Sequence, residues 1–128
     1  MVKNSPMHIL IVDDEALIRW SMSETLAQAG CEVSEAGNAK ETLERLSGGP
    51  APDVILLDYR LPDSADLKLL EAIRRMVPGS RVVMMTAYGT AAMQAGALDL
   101  GAYRVVSKPV EMRALVPLVQ QAYESRAQ

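Results

Sequence analysis

Five side chains in this 128-residue chain suit shared chemistry: the adjacent pair Asp13 and Asp14, then Asp58, Thr86 and Lys108. Three carboxylates held together repel one another, so without a counter-charge at least one of them binds its proton more tightly than usual. A divalent cation relieves that repulsion. Hard oxygen ligands with no His or Cys beside them favour Mg²⁺, which accepts a few carboxylates, keeps several waters and coordinates phosphate oxygen as well. Lys108 adds a mobile cation, Thr86 a hydroxyl donor, and the small Ala87 leaves the approach open. A metal, an ammonium and a hydroxyl facing one carboxylate make a site for a phosphoryl group, with Asp58 as the nucleophile that becomes an acyl phosphate. Each residue alone has a plainer reading. An Asp pair before a helix caps it, a Thr after a strand makes a turn, and a Lys before Pro is solvated. The chemistry requires all five to arrive at one edge.

The predicted elements bring them there. Asp53-Val54-Ile55-Leu56-Leu57-Asp58 is an apolar run ending in a carboxylate and followed by the Leu61-Pro62-Asp63 breaker, the pattern of a central parallel strand covered on both faces. His8-Ile9-Leu10-Ile11-Val12 is a second such strand, ending at Asp13-Asp14-Glu15. Further strands are predicted over residues 31–36, over 81–85 with Thr86 at the carboxyl end, and over 102–106 ending at Ser107-Lys108-Pro109. Between them, apolar spacing of three and four residues predicts helices over 16–29, from an Asn38 cap to 46, 66–77, 90–100 and 111–123. Asp14 is expected to cap the first helix, Gly30 to end it and Gly101 to end the fourth; Pro117 is expected to kink or restart the last. Strands alternating with helices define an α/β doubly wound domain with a five-stranded parallel sheet, whose ligands bind beyond the carboxyl ends of the strands.

Composition narrows the class. At 49% hydrophobic and 23% charged, residues 1–128 read as one globular domain, with a flexible leader over 1–7 and a tail over 124–128. A net charge of −3 argues against direct nucleic acid binding by this domain, which needs clustered Lys and Arg. No apolar run approaches the roughly 20 residues of a membrane-spanning helix. The lone Cys31 reads as a buried structural thiol, in keeping with a cytoplasmic location and no membrane association. Phe is absent, so Leu, Val, Ile, Ala and eight methionines must fill the core, with Met85 and Met93 as gap-fillers.

In their order and spacing, Ile9-Leu10-Ile11-Val12-Asp13-Asp14-Glu15, Asp58-Tyr59-Arg60-Leu61-Pro62-Asp63, Thr86-Ala87-Tyr88-Gly89-Thr90, and Gly101-Ala102-Tyr103 through Lys108-Pro109 resemble the receiver domains of bacterial two-component response regulators. The wording is most similar to receivers of enhancer-binding transcriptional activators. The resemblance implies a flavodoxin-like sheet of strand order 2-1-3-4-5 with helices on both faces. It also implies that a histidine kinase or histidine phosphotransfer protein delivers phosphoryl to Asp58, and that Asp14, Asp58 and the Arg60 backbone carbonyl ligate Mg²⁺, with Asp13 acting through water. Thr86 and Lys108 would contact the phosphoryl oxygens, and the Lys108-Pro109 peptide would be cis. The implied signalling surface is the fourth helix, fifth strand and fifth helix. That surface would control an output domain or target protein in transcription regulation, and a homodimer through it is expected. Self-catalysed phosphotransfer and dephosphorylation are implied, without turnover of a separate substrate. The chain reads either as a stand-alone receiver or as a piece of a longer regulator.

The pattern departs from the family at three places. Val105 stands where Tyr or Phe is usual, so the aromatic switch is missing, and Tyr103 nearby reads either as a surface contact or as a half-buried packing residue. Asp66 stands where glycine is common; it either tolerates left-handed backbone or caps the next helix. The 90–100 helix is alanine-rich, has Asp99 as its one charge and is interrupted by Gly96, which marks it as the least stable element and the switching segment. Leu17 and Trp20 fall off the core face of the first helix, as a partner site or as plain surface. Two other functions compete with the phosphorylatable switch. One is a receiver-like interaction module that works without phosphorylation. The other is a phosphatase-type hydrolase, which would need a second acid at the position of Arg60.

Overall fold

The computed structural model describes residues 6–127. Five strands, β1 (His8–Val12), β2 (Glu32–Ala36), β3 (Val54–Asp58), β4 (Arg81–Thr86) and β5 (Arg104–Ser107), form one parallel sheet of order β2-β1-β3-β4-β5. Five helices alternate with them: α1 (Ala16–Gln28), α2 (Ala39–Ser47), α3 (Lys68–Met76), α4 (Ala91–Asp99) and α5 (Met112–Glu124). This is the doubly wound architecture expected.

Successive strand residues point to opposite faces of the sheet, which splits the core in two. Leu10, Val12, Ile55, Leu57, Val82 and Met84 pack with Leu46 of α2, Leu70 and Ile73 of α3 and Ala97 of α4. Ile9, Ile11, Val54, Leu56, Val83 and Met85 pack with Met22 and Leu26 of α1 and with Leu115, Leu118, Val119 and Ala122 of α5. Every residue of β3 is buried, as a central strand covered on both faces requires. Met85 is fully buried and Met93 half-buried, both filling gaps in this core. Cys31 is half-buried against the α1–α5 cluster, and burial raises its thiol pKa.

The helix ends hold most of the departures from expectation. The N-cap of α1 is Glu15 rather than Asp14, because Asp13 Oδ1 already accepts the Glu15 N–H at 2.9 Å and turns the chain into the helix. Asn38 caps α2 as expected, accepting from the Glu41 N–H. α3 starts at Lys68, two residues later than 66, because Asp66 Oδ1 accepts the Lys68 N–H and holds the preceding loop in a turn. Every non-glycine residue described has negative φ, so Asp66 acts as a turn-former and not as a left-handed residue; Gly30 and Gly101 take φ of +92° and +102° after α1 and α4. Pro117 neither breaks nor restarts α5. Its exposed ring deprives only the exposed Arg113 carbonyl of a donor, and water can replace it there.

Of the expected leader, residues 1–5 lie outside the described region, while Met7 packs on the core and its carbonyl accepts from the Glu32 N–H. Beyond α5, Ser125–Ala127 forms a 3₁₀ turn whose Ser125 carbonyl accepts from Arg81. Among the described residues no helix is long and apolar enough to cross a membrane.

Candidate functional site

Parallel register delivers the polar side chains to one edge. Asp13 directly follows β1, Asp58 ends β3 and Thr86 ends β4. Thr86 pairs with Ser107, which places Lys108 one residue beyond β5. The Lys108 N–H donates to the Thr86 carbonyl at 2.8 Å and the Tyr59 N–H to the Met85 carbonyl at 2.8 Å, so the backbone stays tied where the side chains emerge. The Lys108-Pro109 peptide is cis, as the resemblance implied.

Asp13 is fully buried and Asp58 is 5% exposed, whereas Asp14 is exposed. Each of the three offers a carboxylate oxygen lying within 4.8 Å of the other two. Lys108 reaches into this cluster, with Nζ 3.1 Å from Asp13 Oδ2, 3.1 Å from Asp58 Oδ2 and 3.3 Å from Glu15 Oε1. Burial alone would lower the pKa of its ammonium, but the hydrogen bonds and charges of Asp13 and Asp58 outweigh that and hold it above its ordinary value. Asp58 shifts upward as well, chiefly through burial and then through the charge of Asp13, against the opposing hydrogen bonds from Lys108 and the Arg60 N–H. The sequence led to a rise from carboxylate crowding without a counter-charge; in the structure Lys108 supplies that charge and burial is the larger cause.

A cavity of about 790 Å³ opens onto the cluster, and Asp14, Asp58, Arg60, Thr86, Ala87 and Lys108 share its wall. Thr86 is buried, and its Oγ1 accepts the Tyr88 N–H at 3.2 Å. The Thr86 methyl lies under Gly89, where an added Cβ would sit 2.9 Å from Thr86 Cγ2 and 3.3 Å from Met93 Cε. Thr86 thus lies close against Gly89, in the turn two residues before α4. Val105 is half-buried against the α2–α3–α4 cluster, on the opposite face from Tyr103. Tyr103 is half-buried and packs on the α1–α5 cluster, with the Arg104 guanidinium 5.3 Å from its ring centroid. Of its two expected roles, the structure shows the half-buried packing.

Two features of the site were missed in the sequence. Glu15 contacts Lys108, and the third acid of Asp13-Asp14-Glu15 was the available signal. The inner wall of the cavity is apolar, built from Ile18, Met22, Met85, Val110 and Met112; helical spacing marked Ile18 and Met22 only as core.

The response regulator receiver domain family matches residues 9–120, a span holding all five of the chemistry-bearing side chains. The chain belongs to this family. It is 39% identical over 117 residues to the response regulator protein PilR of Pseudomonas aeruginosa, an alignment covering 91% of this chain and 26% of that protein. It is 34% identical over 117 residues to the DNA-binding transcriptional regulator NtrC of Azospirillum brasilense, covering 91% and 24%. The receiver thus spans about a quarter of the length of these curated relatives. Among solved structures, the CheY-like receiver domain protein of Methanospirillum hungatei JF-1 superposes with a TM-score of 0.91 at 31% identity, covering 96% of this chain and 98% of that one.

Proposed function

We propose that this receiver accepts a phosphoryl group on Asp58. The observation that carries this reading is the convergence on Asp58: two further aspartates within 4.8 Å and the Lys108 ammonium 3.1 Å away, at the mouth of an open cavity. In the step, an Asp58 carboxylate oxygen attacks phosphorus as the bond to the donor atom breaks. The electron pair leaves with the donor, which is the imidazole nitrogen of a histidine kinase or histidine phosphotransfer protein and then takes up a proton. The oxygens of Asp13, Asp14 and Asp58 fit a hard divalent cation, since no described His or Cys shares the cluster and no described residue donates a hydrogen bond to the exposed Asp14 carboxylate. Mg²⁺ held there, with the Arg60 carbonyl as a further ligand, would neutralise charge on the transferring group. Lys108 supplies the second positive charge and Thr86 a hydroxyl, whose oxygen accepts the Tyr88 N–H while its own proton is free to be donated to a phosphoryl oxygen. Ala87, small and exposed, keeps the approach clear.

The same reading makes α4, β5 and α5 the responding surface, acting on an output domain or target protein and able to pair two copies of the chain. Exposed Leu98 and the exposed alanines of α4 support it, as does the closeness of Thr86 to Gly89 in the turn that leads into α4. The domain works in the cytoplasm as a phosphorylation switch that catalyses only its own phosphotransfer and hydrolysis. The test is incubation with acetyl phosphate and Mg²⁺ followed by intact mass measurement. Wild type should gain one phosphoryl group and Asp58→Asn none; a wild type that stays unmodified, or an Asp58→Asn variant that is modified equally, overturns the proposal.

A further inference from the structure

An ammonium has three N–H donors, and Lys108 has a carboxylate for each: Asp13 Oδ2, Asp58 Oδ2 and Glu15 Oε1. The three acceptors are not equivalent. Asp13 and Asp58 are buried members of the acid cluster, whereas the Glu15 side chain is 62% exposed and stands outside it, on the cavity wall. Glu15 occupies the N-cap position of α1, yet its side chain makes no capping hydrogen bond. It reaches instead to a lysine 93 residues further along the chain.

We propose that Glu15 is a positioning residue, a tether that engages the third donor of Lys108 before phosphorylation and yields it when a phosphoryl group arrives; this rests on the reading of Asp58 as phosphoacceptor. Freeing a donor from Asp13 would strip its buried Oδ2 of the Lys108 hydrogen bond and leave the carboxylate with only the Glu15 N–H on Oδ1, which is costly. Freeing it from Glu15 returns an exposed carboxylate to water. Of the two partners that keep their carboxylate once Asp58 is phosphorylated, Glu15 is therefore the one that yields to a phosphoryl oxygen. Its negative charge at the mouth also opposes an incoming phosphate. Both effects act on how strongly phosphoryl anions are held and not on bond-breaking at Asp58.

The test is the rate of phosphorylation against acetyl phosphate concentration, at fixed Mg²⁺, for wild type, Glu15→Gln and Glu15→Ala. Exposed ion pairs are weak, so the half-saturating concentration should fall between about 2- and 5-fold in Glu15→Ala while the limiting rate holds. Glu15→Gln, which keeps an acceptor oxygen without the charge, should fall between the two. In the unphosphorylated protein, the ¹⁵N resonance of the Lys108 ammonium should exchange with water faster in Glu15→Ala than in wild type. Equal half-saturation across the three proteins, or an unchanged Lys108 resonance, overturns the tether while leaving the phosphoacceptor reading standing. A wild type that takes up no phosphoryl removes that reading and the tether with it.

Discussion

At the scale of single residues, Asp58 has a measurable consequence before any phosphoryl donor is present. Its ordinary pKa is 3.8, and burial raises it in the folded domain. Below pH 3.8 the group is protonated whether the chain is folded or not, and it costs nothing. Above the folded value it is charged in both states and the full cost of the buried charge is present. Its contribution therefore destabilises the metal-free fold progressively as pH rises from about 3.8 through the folded pKa. Asp58→Asn, measured without divalent cations, should unfold at a higher temperature than wild type near pH 7, by on the order of 3 °C, and the gap should close toward pH 3.8. A gap independent of pH would show that charge burial is not its cause. Much of this residue-level picture was legible in the sequence, because adjacent acids at a strand exit and a lysine before proline are local patterns. Glu15 was not, since a contact spanning 93 residues depends on how β1 and β5 emerge from the sheet.

Among the elements, α4 joins a weak local sequence to a tight fit. Gly96 costs about 1 kcal/mol of helix propensity relative to alanine. The structure accounts for it: a Cβ at Gly96 would stand 2.9 Å from Leu67 Cδ1, in the loop between β3 and α3. β3 thus runs into a loop that leans on α4, while the Thr86 methyl lies close to Gly89 in the turn before the same helix. The Leu67 contact joins α4 to the loop after Asp58 without an aromatic side chain at Val105. Gly96→Ala should stabilise a Leu67→Ala background by about 1 kcal/mol and the wild type by clearly less, a coupling of at least about 0.5 kcal/mol in a denaturant double-mutant cycle. Additive effects would mean that Leu67 moves aside freely. The strands and the α2 cap were readable because β-branched apolar runs and Asn38 act locally. The cap of α1 moved from Asp14 to Glu15 and the start of α3 from 66 to 68 because Asp13 and Asp66 spend their side chains on turns, and Pro117 was tolerated because its side of α5 faces solvent.

For the whole molecule, the parallel sheet gathers the acids at one end and ties the other with different contacts. At the far end, Arg126 pairs with Asp53 and the Asp53 Oδ2 accepts the His8 N–H. A ligand at the acid end acts on the unfolding of the entire domain, because one sheet carries both core clusters. Mg²⁺ at about 100 times its dissociation constant should add about 2.7 kcal/mol, seen as a rise in Tm of roughly 10 °C that Asp13→Asn and Asp14→Asn diminish. No rise with Mg²⁺ would argue that the cluster does not hold the ion in the folded state. Trp20 stands apart from all of this, 57% exposed on the outer face of α1 beside Leu17. As the one tryptophan, it makes emission excited at the red edge of the absorption band, where the four tyrosines do not absorb, a report from a single place. That light follows what covers α1 rather than what happens at α4, so docking can be watched optically and kept apart from switching.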